Sequence, residues 1–180
     1  MSDNIFFKKK GPFGLNTFFS SIKNNIKIYD VKPLSKASKK DITFYDSAKY
    51  KVEAQKTEAL ACITNEKLKN DLPSKCIIII SKKILYDLSQ VTKKFYPEAH
   101  IDFPDFSLKL AKKSKFHRVK FGNNVLIGNS VKIGHNSEIG SNTVIEKNVI
   151  IGKRVIIGSN VHIKNCMIGD DVVIQSGCKI

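Results

Sequence analysis

A small α/β domain followed by a parallel β-helix is the fold class predicted by this 180-residue sequence. Two patterns predict it. The first half alternates apolar runs of strand length with one amphipathic helical stretch. The second half repeats every six residues: "VLIGNSVKIGHNSEIGSNTVIEKNVIIGKRVIIGSN", Val125 to Asn160, returns an isoleucine with that period and usually sets a glycine after it.

Residues 1–25 form a leading segment. Within it "GPFGLNTFFSSI" places Leu15, Phe18, Phe19 and Ile22 at helical spacing, which predicts a short helix or little structure. Residues 26–105 carry the α/β domain and a linker. "IKIYDV" alternates like a strand, and "DITFYDSAKYKVEAQKT" reads as a strand running into a helix. "ALACITN" is a buried strand. "CIIIIS" is another, apolar on both faces as in a covered sheet. "KKILYDLSQVTKKFYP" puts Ile84, Leu85, Leu88, Val91 and Phe95 on one helical face and stops at Pro97. The proline-flanked "PEAHIDFPDF" is the linker.

Residues 106–180 carry the repeat. Its leading positions are Phe121, Ile127, Ile133, Ile139, Ile145, Ile151, Ile157 and Ile163, and after one shortened unit Ile168, Ile174 and Ile180. Four residues after a leader sits a small or β-branched residue such as Ser137, Thr143 or Val149. A six-residue unit of short flat strand plus turn makes one side of a prism. Its leader and the fourth residue after it point inward, and glycine permits the turn where a Cβ would clash. Outward positions such as Leu126, Val144, Ile150 and Ile156 are also apolar, which predicts association through the flat sides, as a homotrimer.

The net charge of +15 is uneven. Residues 1–120 hold 25 Lys/Arg against 12 Asp/Glu, and residues 121–180 hold 6 against 4. Such a field attracts anionic partners or is generic solvated surface. Only Arg118 and Arg154 are arginine, which disfavours a nucleic-acid reader, because base and phosphate recognition prefers the rigid guanidinium fork. Cys62, Cys76, Cys166 and Cys178 show no paired or metal-ligand spacing and read as free thiols. No apolar run approaches the ~20 residues that span a bilayer. The N-terminal order of two phenylalanines then three lysines is the reverse of a signal peptide. A cytoplasmic protein with at most peripheral membrane contact is expected.

Hexapeptide repeats resemble those of the hexapeptide acyltransferases, whose β-helix is left-handed, whose three chains pack side by side, and whose base is a histidine in a cleft between subunits. "PLSKASKKDITFYDSAKY", Pro33 to Tyr50, narrows the resemblance. It is similar to the uridine-binding domain of the UDP-3-O-acylglucosamine N-acyltransferases, in which a stretch of the form A-x-x-x-x-I-S/T-F-x-x-x-x-K-Y supplies two rings that hold the uracil. Phe44 and Tyr50 stand at those positions. Where the family commonly has an asparagine that reads the uracil edge, this sequence has Ser47.

The resemblance implies transfer of a 3-hydroxyacyl chain from acyl carrier protein to the 2-amine of UDP-3-O-acylglucosamine in lipid A assembly, with no cofactor and no metal. The family's catalytic histidine lies in later coils, in a stretch like QI(A/G)HN that does not occur in these 180 residues. The β-helix is therefore expected to be cut short and this chain to lack turnover. Two alternatives remain. One is an acetyl-CoA-dependent sugar acetyltransferase with His135, in "IGHNSEIG", as base; the other is a non-catalytic β-helical module that binds nucleotide. His100, His117 and His162 have no supporting constellation in the sequence.

Overall fold

The computed structural model describes residues 6–23, 25–99 and 101–180, so His100 lies outside the described residues. Contacts divide the chain into two compact units, Phe7–Asp102 and Phe103–Ile180, the second joined by Phe6.

In the first unit β1 (Phe13–Gly14) pairs antiparallel with β2 (Lys27–Ile28). The main sheet is formed by β3 (Asp30–Val31), β4 (Asp41–Phe44), β5 (Ala61–Thr64) and β6 (Ile77–Ile80) in that order, all parallel. A six-residue helix α1 (Lys51–Lys56) lies between β4 and β5, and α2 (Ile84–Phe95) follows β6. One face of the sheet, with Ile42, Ala61, Ile63 and Ile79, packs under Ile84, Val91 and Phe95 of α2. The other carries Cys62 into a smaller cluster with Tyr45, Ala54, Leu72 and Cys76. Parallel strands buried on both faces tend to read as continuous apolar runs; β5 comes close to this, whereas β4 alternates Ile42 and Phe44 with the buried polar residues Asp41 and Thr43.

Two expectations for this unit need correction. β6 is not covered on both faces: Ile79 is buried, whereas Ile78 and Ile80 are 39% and 43% exposed. It is the last strand of the sheet, and the second cluster stops at β5; four isoleucines in a row cannot say which face is open. Leu85 is not on the buried face of α2. The inward stripe is Ile84, Leu88, Val91 and Phe95, and Leu85 sits about 100° round the helix from Ile84 and is exposed. Near the N-terminus the structure agrees with the expected short helix or little structure: there is one 3₁₀ turn, Leu15–Thr17. The phenylalanines there serve an aromatic cluster: Phe13 meets Phe95 edge-on at 5.0 Å between ring centroids, and Phe18 stacks on Phe95 at 6.4 Å.

The second unit is a left-handed parallel β-helix. Two-residue strands pair with the strand 18 residues on, as in Lys132↔Ile150, Glu138↔Ile156 and Val144↔His162, so three hexapeptides make one coil. In the last coil the step falls to 17, as in Ile150↔Met167 and Ile156↔Val173, which places the shortened unit without disturbing the stack. Leaders and fourth residues point inward as expected; Ile145, Val149, Val155, Val161 and Ile163 are essentially dry. The inward hydroxyls are satisfied: Ser137 donates to Gly152 O and accepts from Val155 N–H, and Thr143 does the same with Gly158 O and Val161 N–H. Before the first coil β7 (Lys109–Leu110) pairs antiparallel with Leu126–Ile127, and Ala111 and Phe116 pack against the prism core.

The role expected of glycine also changes. The left-handed corners fall three residues before each leader, on Arg118, Asn124, Ser130, Asn136, Asn142, Asn148, Arg154, Asn160, Asn165 and Asp171, with φ between 49° and 65°. Asparagine and aspartate tolerate that region better than other non-glycine residues. The glycines answer a different need. A Cβ on Gly134 or Gly140 would lie 2.5 Å from the carbonyl carbon of Gly152 or Gly158 in the next coil. At these positions they permit close stacking of coils, whereas Gly177, three residues before the leader Ile180, makes a corner itself at φ 80°.

Candidate functional site

A cleft of about 570 Å³ opens at the carboxyl ends of β3 and β4, lined by Pro33, Leu34, Ser35, Phe44, Asp46, Tyr50, Glu53 and Leu85. Ligands of open parallel sheets bind at these ends, where the loops leave the strands. Phe44 is the last residue of β4. The chain then turns through a 3₁₀ helix, Ala48–Tyr50, which brings Tyr50 back to the same cleft, where the residue is 45% exposed.

The residue between the rings holds the turn rigid. Tyr45 is fully buried; its N–H donates to Ile63 O, its carbonyl accepts from the Thr64 hydroxyl at 2.8 Å, and its phenol donates to Asp71 Oδ2 at 3.0 Å. Burial, and then the Asp71 carboxylate, push the phenol up to about 12. Asp71 in turn bonds Lys51 Nζ at 3.0 Å, which ties the start of α1 to the same frame, and the Lys51 bond holds this carboxyl below its ordinary value. At the other end of β4, burial would raise the pKa of Asp41, but bonds from the Ser38 hydroxyl and N–H and from Lys32 outweigh it and hold it low.

The cleft therefore presents two aromatic faces with carboxylates at its rim. Ser47 is not among its lining residues. Its hydroxyl accepts from Lys49 N–H at 3.4 Å and caps the 3₁₀ helix. Asp46 and Glu53, which line it, were missed by the sequence reading. The signal for Asp46 was its place inside the quoted stretch; for Glu53 it was the position one helical turn after Tyr50. Leu85 was missed because it was assigned to the core. An adjoining hollow of about 750 Å³ shares Asp46 and Leu85 and carries Lys67, Lys82 and Lys83.

The histidines of the second unit differ. His135 follows Gly134, its carbonyl accepts from Arg154 N–H, and its buried Nδ1 has no hydrogen-bond partner among the described residues. His162 has an orienting carboxylate: its Nε2 lies 2.7 Å from Oε1 of Glu146. Glu146 occupies a position that is glycine in most units, and that substitution was the overlooked signal. His117 is exposed. Among the described residues no group of three or more His, Cys, Asp or Glu could hold a metal ion. The cysteines are free, and burial pushes the thiol of Cys76 up to about 11 and that of Cys62 higher still, away from thiolate chemistry.

Residues 25–84 match the family model described as UDP-3-O-(3-hydroxymyristoyl) glucosamine N-acyltransferase, LpxD. The likeness is to an N-acyltransferase. Residues 118–153 and 148–180 match the bacterial transferase hexapeptide (six repeats). Over 105 residues the chain is 31% identical to UDP-3-O-acylglucosamine N-acyltransferase of Rickettsia canadensis (strain McKiel), covering 53% of this chain and 31% of that protein. It is equally similar to the protein of that name from Rickettsia prowazekii (strain Madrid E), at 31% over 105 residues, covering 30% of its length. The matched stretch thus spans less than a third of these relatives. The stretch that matches the N-acyltransferase model contains both rings of the cleft. Among the described residues no helix is long and apolar enough to cross a membrane.

Proposed function

We propose that the protein is an N-acyltransferase of lipid A biosynthesis, acting in the cytoplasm on UDP-3-O-acylglucosamine, with the uridine held against Phe44 and Tyr50. The observation that carries this reading is that both aromatic residues of the family-matched stretch line one cleft at the carboxyl ends of the sheet. An aromatic face stacks on a base with little demand on sequence. Uracil also presents an N–H between two carbonyls, and a rim carboxylate, Asp46 or Glu53, is a suitable acceptor. The diphosphate would face the lysines of the adjoining hollow.

In the reaction the 2-amine of the sugar attacks the thioester carbon of an acyl chain on acyl carrier protein. A C–N bond forms, the C–S bond breaks, the thiol leaves, and a base removes the proton of the amine. His135 is not favoured as that base, since no described carboxylate or backbone group orients its buried nitrogen. The same reading carries a homotrimer. It is supported by the apolar outward residues of the prism, of which Ile156, Met167 and Val173 are 49%, 65% and 59% exposed. A stable monomer by sedimentation at micromolar concentration would remove that part.

The test of the uridine site is calorimetric titration of UDP into the wild type, Phe44→Ala and Tyr50→Ala, with circular dichroism to confirm folding. Each stacking ring should contribute about 1–3 kcal/mol, so each variant should bind roughly 5- to 150-fold more weakly. Unchanged affinity in two folded variants would place the nucleotide elsewhere.

A further inference from the structure

The stretch that precedes the first coil carries two kinds of exposed side chain that the acyl-transfer reading does not use. Phe106 is 93% exposed, Leu110 62% and Phe103 52%. Around and after them stand Lys109, Lys112, Lys113 and Lys115, all exposed. From Lys109 to Lys120 there are six Lys/Arg and no acidic residue.

Phe106 is presented outward by its neighbours. Asp105 on one side accepts from Lys147 N–H at 2.7 Å, and its other oxygen accepts from the Ser107 hydroxyl at 2.6 Å and N–H at 2.9 Å. Ser107 on the other side accepts from Asn129 N–H at 2.9 Å. Both flanking side chains are bonded down onto the β-helix, which leaves the ring between them in solvent. β7, with Lys109 and Leu110, is likewise fixed by its pairing to Leu126–Ile127. A hollow of about 250 Å³ beside it is lined by Lys109, Lys112 and Lys115. Exposed aromatic and aliphatic tips on a rigid base, interleaved with lysines, suit the boundary layer of a bilayer: the tips enter the headgroup region and the ammonium groups meet lipid phosphates.

We infer that residues 103–115 form a peripheral docking surface for an anionic phospholipid bilayer. Charge complementarity selects this occupant over a second copy of the chain. The β-helix from residue 121 on has only four acidic residues, Glu138, Glu146, Asp170 and Asp171, and three of these already face Lys120, His162 and Arg154. The β-helix of a second copy offers this patch little free negative charge, and the chain as a whole, with 31 Lys/Arg against 16 Asp/Glu, brings a net charge of +15 to it. The use of lysine in place of arginine also fits a diffuse anionic surface better than bidentate recognition of a carboxylate partner. The inference does not rest on the acyl-transfer reading.

The test is co-sedimentation of the full chain with phosphatidylcholine vesicles, with and without phosphatidylglycerol, at low and at physiological salt. Three variants are compared: Phe106→Ser with Leu110→Ser; Lys109, Lys112, Lys113 and Lys115 each changed to Gln; and, as a control of equal charge loss, Lys23, Lys36, Lys39 and Lys56 each changed to Gln. The wild type should bind only the phosphatidylglycerol vesicles, more weakly as salt rises. The serine pair should weaken binding about 10- to 100-fold. The lysine set should cost about fivefold per residue, and the control set much less. No binding by the wild type, indifference to the serine pair, or equal loss in the control set would each overturn the inference. So would an effect of the patch variants on self-association or on binding to an acidic protein without an effect on vesicles.

Discussion

The carboxylate of Asp105 accepts a 2.7 Å hydrogen bond from the backbone N–H of Lys147, 42 residues along the chain. This contact, with the two bonds from Ser107, fastens the entry segment to the β-helix. Burial acts to raise the pKa of Asp105, but the bonds from Ser107 and Lys147 outweigh it and hold it below its ordinary 3.8. A lowered carboxyl stabilises the fold above its unfolded value, and that contribution is lost as pH falls through the folded value. Asp105→Ala should cost about 1–3 kcal/mol in urea unfolding at neutral pH. The difference from wild type should shrink as the buffer is taken below about pH 4. A pH-independent difference would mean that the charge of Asp105 is immaterial.

Gly140 and Asn142 should respond in opposite ways to added and removed bulk. Gly140→Ala brings a Cβ against the backbone of Gly158 and should lower the midpoint of thermal unfolding by several degrees. Asn142, at φ 58°, should accept glycine with little change, whereas Asn142→Val should cost about 1–2 kcal/mol. Equal tolerance of valine and glycine at 142 would contradict the corner assignment.

Thr143 turns its hydroxyl into the prism, where it donates to Gly158 O at 3.0 Å and accepts from Val161 N–H at 3.3 Å. Thr143→Val keeps the shape and removes both bonds. Despite the gain in apolar character it should destabilise by about 1–3 kcal/mol, because the two backbone groups are left dry and unpaired. Denaturant melts of the two proteins read this directly.

Within the cleft, Ser47→Ala should leave UDP affinity within about twofold, because the hydroxyl is occupied as a cap and lies outside the lining. Asp46→Ala should weaken it by about tenfold through loss of the rim acceptor. The reverse order in a calorimetric comparison would return base reading to Ser47.

The six-residue period alone determined the β-helix, its inward positions and the site of the shortened unit, because a repeat that stacks on itself must show its core in register. The strands "DITF" and "ACIT" and the helix from Ile84 were legible for a similar reason: their apolar pattern reports burial directly. So were Phe44 and Tyr50, as members of a recognisable stretch. Tertiary packing decided the rest. Which face of the four isoleucines of β6 is open depends on what covers the sheet, and Leu85 faces the cleft because the core stripe runs through Leu88. That glycines serve coil spacing while asparagines make the corners emerges only when one coil lies on the next. The pairing of His162 with Glu146, and the bonds that leave Phe106 in solvent between Asp105 and Ser107, join residues distant in sequence, and a one-dimensional pattern carries no record of such distances.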